Sequence, residues 1–338
     1  MQSVVIRGKK QLSVEERAKP VPTEGMVLVA PKFVGICGSD LHYYEDGAVG
    51  AFVIQEPLVP GHEVSGVLAE AACIDGADLL GGTPVAIHPS TWGKAVPGLE
   101  EKREIWPGGR YLGSAASHPH TQGAMTELLE VRPDQLRVLP KTLPLRRAAL
   151  AEPLGVALHA LAQAGAIRGK RLLVFGAGPI GLLVVAAGVI LGASEITAAD
   201  LLPGPLERAK GVGTTKTIQI GEGALPASNA FDVVLECTGT ASGISQSFRA
   251  VSPGGVIVQV GIPNNVDSRI NLSGICAKEV TYRGTFRFDK EFDDAIQLLD
   301  ENPVLENIVT HTFPVKDVAH AFKVAHDPQV SGKVLLEF

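Results

Sequence analysis

Two rhythms of apolar and polar positions divide the chain. Up to about residue 150, short apolar or alternating runs are broken by glycine and proline: MVLVAPKFVGI (26–36), VSGVLAEA (64–71), TPVAIHP (83–89) and MTELLEV (125–131). Runs of this length bounded by turn formers predict strands, and so a β-rich module with long loops at 1–150. From about 151 the period lengthens. PLGVALHALAQAGA (153–166) reads as a helix, RLLVFGAG (171–178) as a strand, GLLVVAAGVILGA (181–193) as a helix, EITAAD (195–200) as a strand and GPLERAKGVG (204–213) as a helix. FDVVLECTG (231–239) and VIVQVGIP (256–263) add buried strands. Alternation of this kind builds right-handed βαβ units, so the fold class is α/β with a doubly wound parallel sheet at 151–286. The tail at 287–338 contains two amphipathic helical patterns and a final strand, KVLLEF, and is expected to return to the first module.

One stretch departs from both rhythms. Residues 172–193 are 22 uncharged, mostly apolar positions, long enough for a membrane span. Gly176, Gly178, Pro179 and Gly181 interrupt its middle, and a buried strand, a tight turn and a buried helix account for it better, because parallel strands covered on both faces are continuously apolar.

Composition narrows the function classes. The chain has 338 residues, 45% of them hydrophobic, enough for two cores. A net charge of −6 with 30 scattered basic residues lacks the stripe that binds nucleic acid. No nucleic-acid or membrane partner is expected. The N-terminal MQSVVIRGKK has no secretory h-region, so the expected location is cytoplasmic and the four cysteines are expected to be reduced.

Candidate chemistry sits in two places. Gly176, Gly178 and Gly181 form G-x-G-x-x-G between a strand and a helix, where the backbone approaches a pyrophosphate and the helix amides face it. Asp200 follows 24 residues after Gly176, at the end of the next strand, placed to accept both ribose hydroxyls. Asp200 would repel a 2′-phosphate and its neighbours Leu201 and Leu202 offer no cation, which favours NAD over NADP. The second place is VGICGSDLHYY (34–44), which sets Cys37 beside Ser39, Asp40 and His42. An isolated cysteine is most often a small buried hydrophobe. Here His62 and Glu63 follow in PGHE, and Glu152 precedes Pro153 in AEPLG. Thiolate, imidazole and carboxylate make a three-ligand zinc set with an open fourth position.

These motifs carry a resemblance. GICGSDLHYY (35–44), PGHE (60–63), AEPLGVALHA (151–160), GAGPIG (176–181) and GTFRF (284–288) together resemble the zinc-dependent medium-chain dehydrogenases over essentially the whole chain, within their polyol and sugar-acid branch. The resemblance implies a GroES-like catalytic domain, a Rossmann NAD-binding domain and reversible oxidation of a secondary alcohol. It implies a catalytic zinc on Cys37, His62 and a glutamate, either Glu63 or Glu152, the other standing close by. Ser39 and His42 match the proton relay. Tyr43, Arg287 and Phe288 match substrate contacts, while Pro179, Ile180, Val260, Gly261, Ile262, Thr285, Phe286 and Arg287 match positions lining the cofactor. A small sugar acid or polyol is the implied substrate, and a homodimer or homotetramer the implied assembly, with the strand at 256–261 expected near a sheet edge.

Two features depart from the branch. Most members carry four closely spaced cysteines for a structural zinc in the lobe matching 91–114; this chain has none there, and Cys73, Cys237 and Cys276 share no ligand spacing. One zinc per subunit is therefore predicted. Trp92 and Trp106, with Val96, Leu99 and Ile105, are expected to form an apolar cluster in place of the metal or to dock on a neighbouring subunit. Many relatives also have a basic residue four or five positions after the ribose-binding acid, where this chain has Gly204 and Pro205.

Overall fold

A computed structural model describes residues 1–221, 223–263 and 269–338. The chain forms two compact units, the first made of Met1–Glu152, Phe292–Asp327 and Lys333–Phe338, the second of Pro153–Glu291 and Pro328–Gly332.

In the first unit the valine-rich strand Val27–Gly35 lies between Glu63–Leu68 and Lys333–Glu337, and Leu129–Val131 also pairs with it. Pro84–Ile87 and Leu136–Val138 extend the sheet on one side, Val309–Pro314 on the other. Its inward positions, with Val4, Ile6, Leu58, Met125 and Phe322, bury one core. Fully burying each such side chain contributes about 1.5–3 kcal/mol. The register sets Gly35 opposite both Glu63 and Leu335, so three distant segments meet beside Cys37.

The segment after Cys37 is a helix, Gly38–Asp46. A reciprocal cap starts it, in which Cys37 occupies the N-cap and its backbone N–H donates to Asp40 Oδ2 at 2.9 Å. Gly47, at φ 74°, ends it in the left-handed conformation.

The second unit is a six-stranded parallel sheet in the order Lys216–Gln219, Glu195–Asp200, Arg171–Phe175, Phe231–Glu236, Val251–Gln259, Thr281–Gly284. The order reverses between Arg171–Phe175 and Phe231–Glu236, which is where a doubly wound sheet binds its ligand. The apolar stretch at 172–193 resolves into the strand Arg171–Phe175 and the helix Pro179–Ile190. Among the described residues no helix is long and apolar enough to cross a membrane.

One expectation holds and one needs correction. The strand containing 256–259 lies near the sheet edge, with Thr281–Gly284 alone outside it. That outer strand escapes a hydrophobic reading since all four of its residues are exposed. The helix carrying Glu152 runs Ala151–Ala164, so Glu152 lies inside its first turn rather than before it.

Candidate metal centre and cofactor site

Cys37 Sγ, a ring nitrogen of His62 and a carboxylate oxygen of Glu63 lie within 4.8 Å of one another. Tetrahedral zinc with donors about 2.0–2.3 Å away separates those donors by roughly 3.3–3.8 Å, so a slight inward adjustment seats the ion. His62 Nδ1 and Glu63 Oε2 are buried without a hydrogen-bond partner. Buried polar atoms are seldom left so, and an orphaned carboxylate oxygen beside a thiol and an imidazole suits a divalent cation. Gly35 makes the room: a Cβ there would stand 2.0 Å from Glu63 Oε2.

Two buried charges order this cluster. Asp40 is fully buried, and its Oδ1 accepts from Gly61 N at 3.1 Å while Oδ2 holds Cys37 N, so one carboxylate ties both ligand-bearing segments. Burial pushes its carboxyl above the ordinary range. Lys333 donates to Glu63 Oε1 at 2.5 Å and to the Ile36 carbonyl at 3.2 Å, with side chains only 3% and 1% exposed in the ion pair. Burial disfavours that ammonium, yet Glu63, Cys37 and Glu152 together raise it above its usual value.

Glu152 completes the cluster. Its Oε1 accepts from the Tyr111 hydroxyl at 2.5 Å, and burial pushes its carboxyl up to about 7 against the pull of His62. Burial would lower His62, but the Cys37 thiolate and the surrounding carboxylates raise it to about 10. A metal-bound imidazole must be neutral, so binding a cation here would compete with the proton that these carboxylates favour.

Of the other predicted residues, Ser39 is half-buried and His42 exposed on the same helix, with His42 Nδ1 3.1 Å from Asp46 Oδ2, one turn on. Tyr43 does not present a free hydroxyl, because it is 3% exposed and its Oη accepts from Ala115 N at 2.9 Å. Phe288 presents no exposed surface. It is fully buried, its ring packed where a Cβ on Gly155 would stand 3.1 Å away. Arg287, at φ 52°, sets its guanidinium 4.6 Å over the Phe286 ring.

The lobe at 91–114 is not one apolar cluster. Ile105 is 43% exposed, Trp92 packs edge-on against His88 and beneath Arg103, and Trp106 Nε1 donates to the Leu99 carbonyl at 2.8 Å. Glu56, His118 and His120 also come within ligand distance of one another. Both ring nitrogens of His120 are already engaged, with Gln55 N at 2.9 Å and the Ser117 carbonyl at 2.7 Å, which leaves no lone pair free for a metal.

In the second unit Gly176 takes φ 87° at the end of Arg171–Phe175, and a Cβ on Gly181 would stand 1.9 Å from the Gly176 carbonyl oxygen. Only glycine allows that approach of helix to strand. Asp200 Oδ2 accepts from Ala177 N at 2.8 Å and Oδ1 from Leu202 N at 3.0 Å, so its carboxylate is fixed beside the glycine turn. Next to it a cavity of about 160 Å³ is lined by Phe175, Ala199, Asp200, Thr238, Thr240 and Gln246, among others. Val260 and Gly261 are half-buried beyond the end of Val251–Gln259, and Ile262 is 78% exposed. Thr285 Oγ1 is buried without a partner, while Phe286 is 46% exposed.

This pairing of a Cys–His–Glu cluster on a β-rich unit with a glycine-turn parallel sheet has known counterparts. The alcohol dehydrogenase GroES-like domain matches residues 23–141 and the zinc-binding dehydrogenase domain residues 179–301. The chain belongs to the zinc-dependent medium-chain dehydrogenases, in their polyol and sugar-acid branch. It is similar to L-idonate 5-dehydrogenase (NAD(P)(+)) of Escherichia coli (strain K12), 36% identical over 100% of this chain and 98% of that protein. The crystal structure of L-idonate 5-dehydrogenase from Escherichia coli K-12 superposes with a TM-score of 0.92 at 35% identity, covering 100% of this chain and 98% of that one. Sorbitol dehydrogenase of Bos taurus is 32% identical, over 96% of this chain and 92% of that protein. The expected GroES-like and Rossmann architecture and the dehydrogenase class are thereby established.

Two residues of the site had no motif to announce them, Tyr111 and Lys333; Asp40 lay within the Cys37 motif, but its role as the tie between the two ligand-bearing segments emerges only from the fold.

Proposed function

We propose that the protein oxidises a secondary alcohol of a sugar acid, L-idonate first, with NAD as acceptor and one zinc per chain; a sorbitol-like polyol is the second reading. The observation that carries this is the convergence of Cys37, His62 and Glu63 donor atoms within 4.8 Å of one another, with Glu63 Oε2 buried and unpartnered. Full-length identity to the L-idonate enzyme and the segments GSAASHPH, GAMTE and RGTFRF favour the sugar acid.

Cys37 Sγ, His62 and Glu63 Oε2 would hold the zinc. Glu63 is favoured over Glu152 because a Glu63 carboxylate oxygen lies within 4.8 Å of the Cys37 and His62 donors and its Oε2 is unpartnered. When bound, zinc supplies Lewis acidity that lowers the alcohol pKa, and NAD supplies the hydride acceptor. The chain's own residues manage the proton. Ser39 and His42 pass it toward solvent, with Asp46 orienting the imidazole, and Glu152 is matched to exchange one at neutral pH. Arg287, stiffened over Phe286, is the candidate for the substrate carboxylate. Asp200, with no basic residue at 204 or 205, favours NAD. The unpaired outer edge of Thr281–Gly284 supports assembly as a homodimer or homotetramer.

The test is a panel of sugar acids and polyols assayed with NAD and NADP while zinc is measured on the same sample. We expect one zinc per chain, preference for L-idonate with NAD, and a loss of about 10³-fold in turnover for Cys37→Ser, the several kcal/mol a Lewis acid supplies. Undiminished turnover in Cys37→Ser, or two zincs per chain, would refute the proposal.

A further inference from the structure

Glu236 ends the strand Phe231–Glu236, fully buried, and its hydrogen-bond partners are all neutral. Its Oε1 accepts from Thr238 N at 3.0 Å and from the Thr238 hydroxyl. Its Oε2 accepts from Gly239 N at 2.9 Å and from Gln259 Nε2 at 2.6 Å. Its backbone carbonyl takes the N–H groups of Val260 and Gly261, both at 2.8 Å. One residue therefore fastens the two loops, 237–240 and 260–262, that leave the sheet at adjacent strand ends.

The loops are also in direct contact. A Cβ on Gly239 would stand 2.5 Å from the Ile262 carbonyl oxygen, and one on Gly261 2.2 Å from Gly239 N. From the first loop the chain enters the helix Ala241–Ala250, whose N-cap Thr240 accepts from Gly243 N at 3.0 Å and lies 2.9 Å from the Thr238 hydroxyl. Thr238, Thr240 and Gly243 form one wall of the cavity whose other lining includes Asp200. A buried carboxylate without a counter-ion is costly unless fully hydrogen-bonded. Here all the bonds that offset that cost come from the loop wall and from Gln259 beside it.

We propose that Glu236 is the positioning residue of the cofactor site: without touching the cofactor, its carboxylate fixes the wall of the adenosine cavity and so sets how tightly NAD binds. This rests on the second unit being the NAD site. A carboxamide cannot take its place, because it accepts through one oxygen only and turns an NH₂ group either against the Thr238 backbone N–H or against the Gly239 N–H and the Gln259 side-chain amide. The wall then loses its fixed shape while the metal cluster, on the other unit, is untouched.

The test measures NAD affinity by equilibrium titration, steady-state KM and kcat, zinc content and thermal unfolding for the unaltered protein, Glu236→Gln and Gln259→Leu. Gln259 does not line the cavity; its side chain also donates to the Gly261 carbonyl at 2.6 Å and accepts from the Tyr282 hydroxyl at 2.9 Å, so its loss loosens the clamp from the side of the second loop. We expect Glu236→Gln to raise the NAD Kd and KM by about ten-fold and Gln259→Leu by roughly three-fold, from the loss of bonds to a charged acceptor. Zinc content, alcohol KM and kcat at saturating NAD stay within two-fold. A residue with only a structural role would lower the unfolding temperature and leave the Kd of the folded protein unchanged. Folded variants that bind NAD as the unaltered protein does, within two-fold, overturn the inference. If Glu236→Gln fails to fold, Gln259→Leu decides by the same criterion. Failure of the unaltered protein to bind NAD would instead remove the cofactor assignment beneath it.

Discussion

Replacing Lys333 by Met tests the electrostatic core of the metal cluster. Methionine keeps the length and apolar stem of lysine and deletes the ammonium, leaving Glu63 without its partner at 2.5 Å and the Ile36 carbonyl without its donor at 3.2 Å. The pair is almost wholly excluded from solvent, so screening offers little relief. Removing one member of a buried pair costs about 3–5 kcal/mol, mostly from the charge left behind. The structure adds a check on that origin: Lys333→Met combined with Glu63→Gln leaves no stranded charge and should be less damaging than Lys333→Met alone. Both tryptophans, Trp92 and Trp106, lie in the first unit, so urea unfolding of metal-free protein followed by tryptophan emission reads the affected unit directly. A loss under about 1 kcal/mol in the single variant, or a double variant no better than the single, would contradict a buried charge pair whose value lies in mutual neutralisation.

The remaining predictions address room and pH. Gly35→Ala should weaken zinc binding at least ten-fold in competition with a chromogenic chelator, because the new Cβ would lie 2.0 Å from Glu63 Oε2 and Lys333 restrains the other oxygen; affinity within two-fold would show that the carboxylate moves freely. Burial alone would raise the Glu291 carboxyl, but the hydrogen bond to His159 at 2.9 Å and backbone donors hold it down to about 2. A depressed folded pKa stabilises the protein above the unfolded value of 4.5, and that stability is lost as pH falls toward 2. Glu291→Gln should therefore be less stable than the unaltered protein near neutrality by about 1–2 kcal/mol, reduced by partial solvent screening, with the gap closing between pH 4.5 and 2 in chemical denaturation.

What the sequence disclosed follows the range of its signals. The second unit was readable because each of its buried strands is a continuous apolar run and its glycines fall at the turn that needs them. The two outer strands, Lys216–Gln219 and Thr281–Gly284, were missed because neither is a continuous apolar run, and with them both edges of the sheet. Cys37, His62 and Glu63 were recognisable as ligand types in motifs, and the antiparallel register then unites them. Lys333 and Tyr111 were not recognisable, since their partners stand 270 and 41 residues away and a lone lysine on a strand or tyrosine in a loop has no pattern of its own. Tyr43 and Phe288 illustrate a related limit of pattern: an aromatic next to a functional motif can serve the core as readily as a ligand, and both are buried here. The tryptophans of the 91–114 lobe were rightly singled out, but cation–π and hydrogen-bond partners hold them rather than each other.

The position of Lys333 along the chain sets an order of events during synthesis. The ribosome makes Glu63 with Cys37 and His62 and then a whole parallel-sheet module before it adds the ammonium that neutralises the carboxylate. The residue that pairs with the carboxylate thus enters the site only with the last strand, which pairs beside Val27–Gly35.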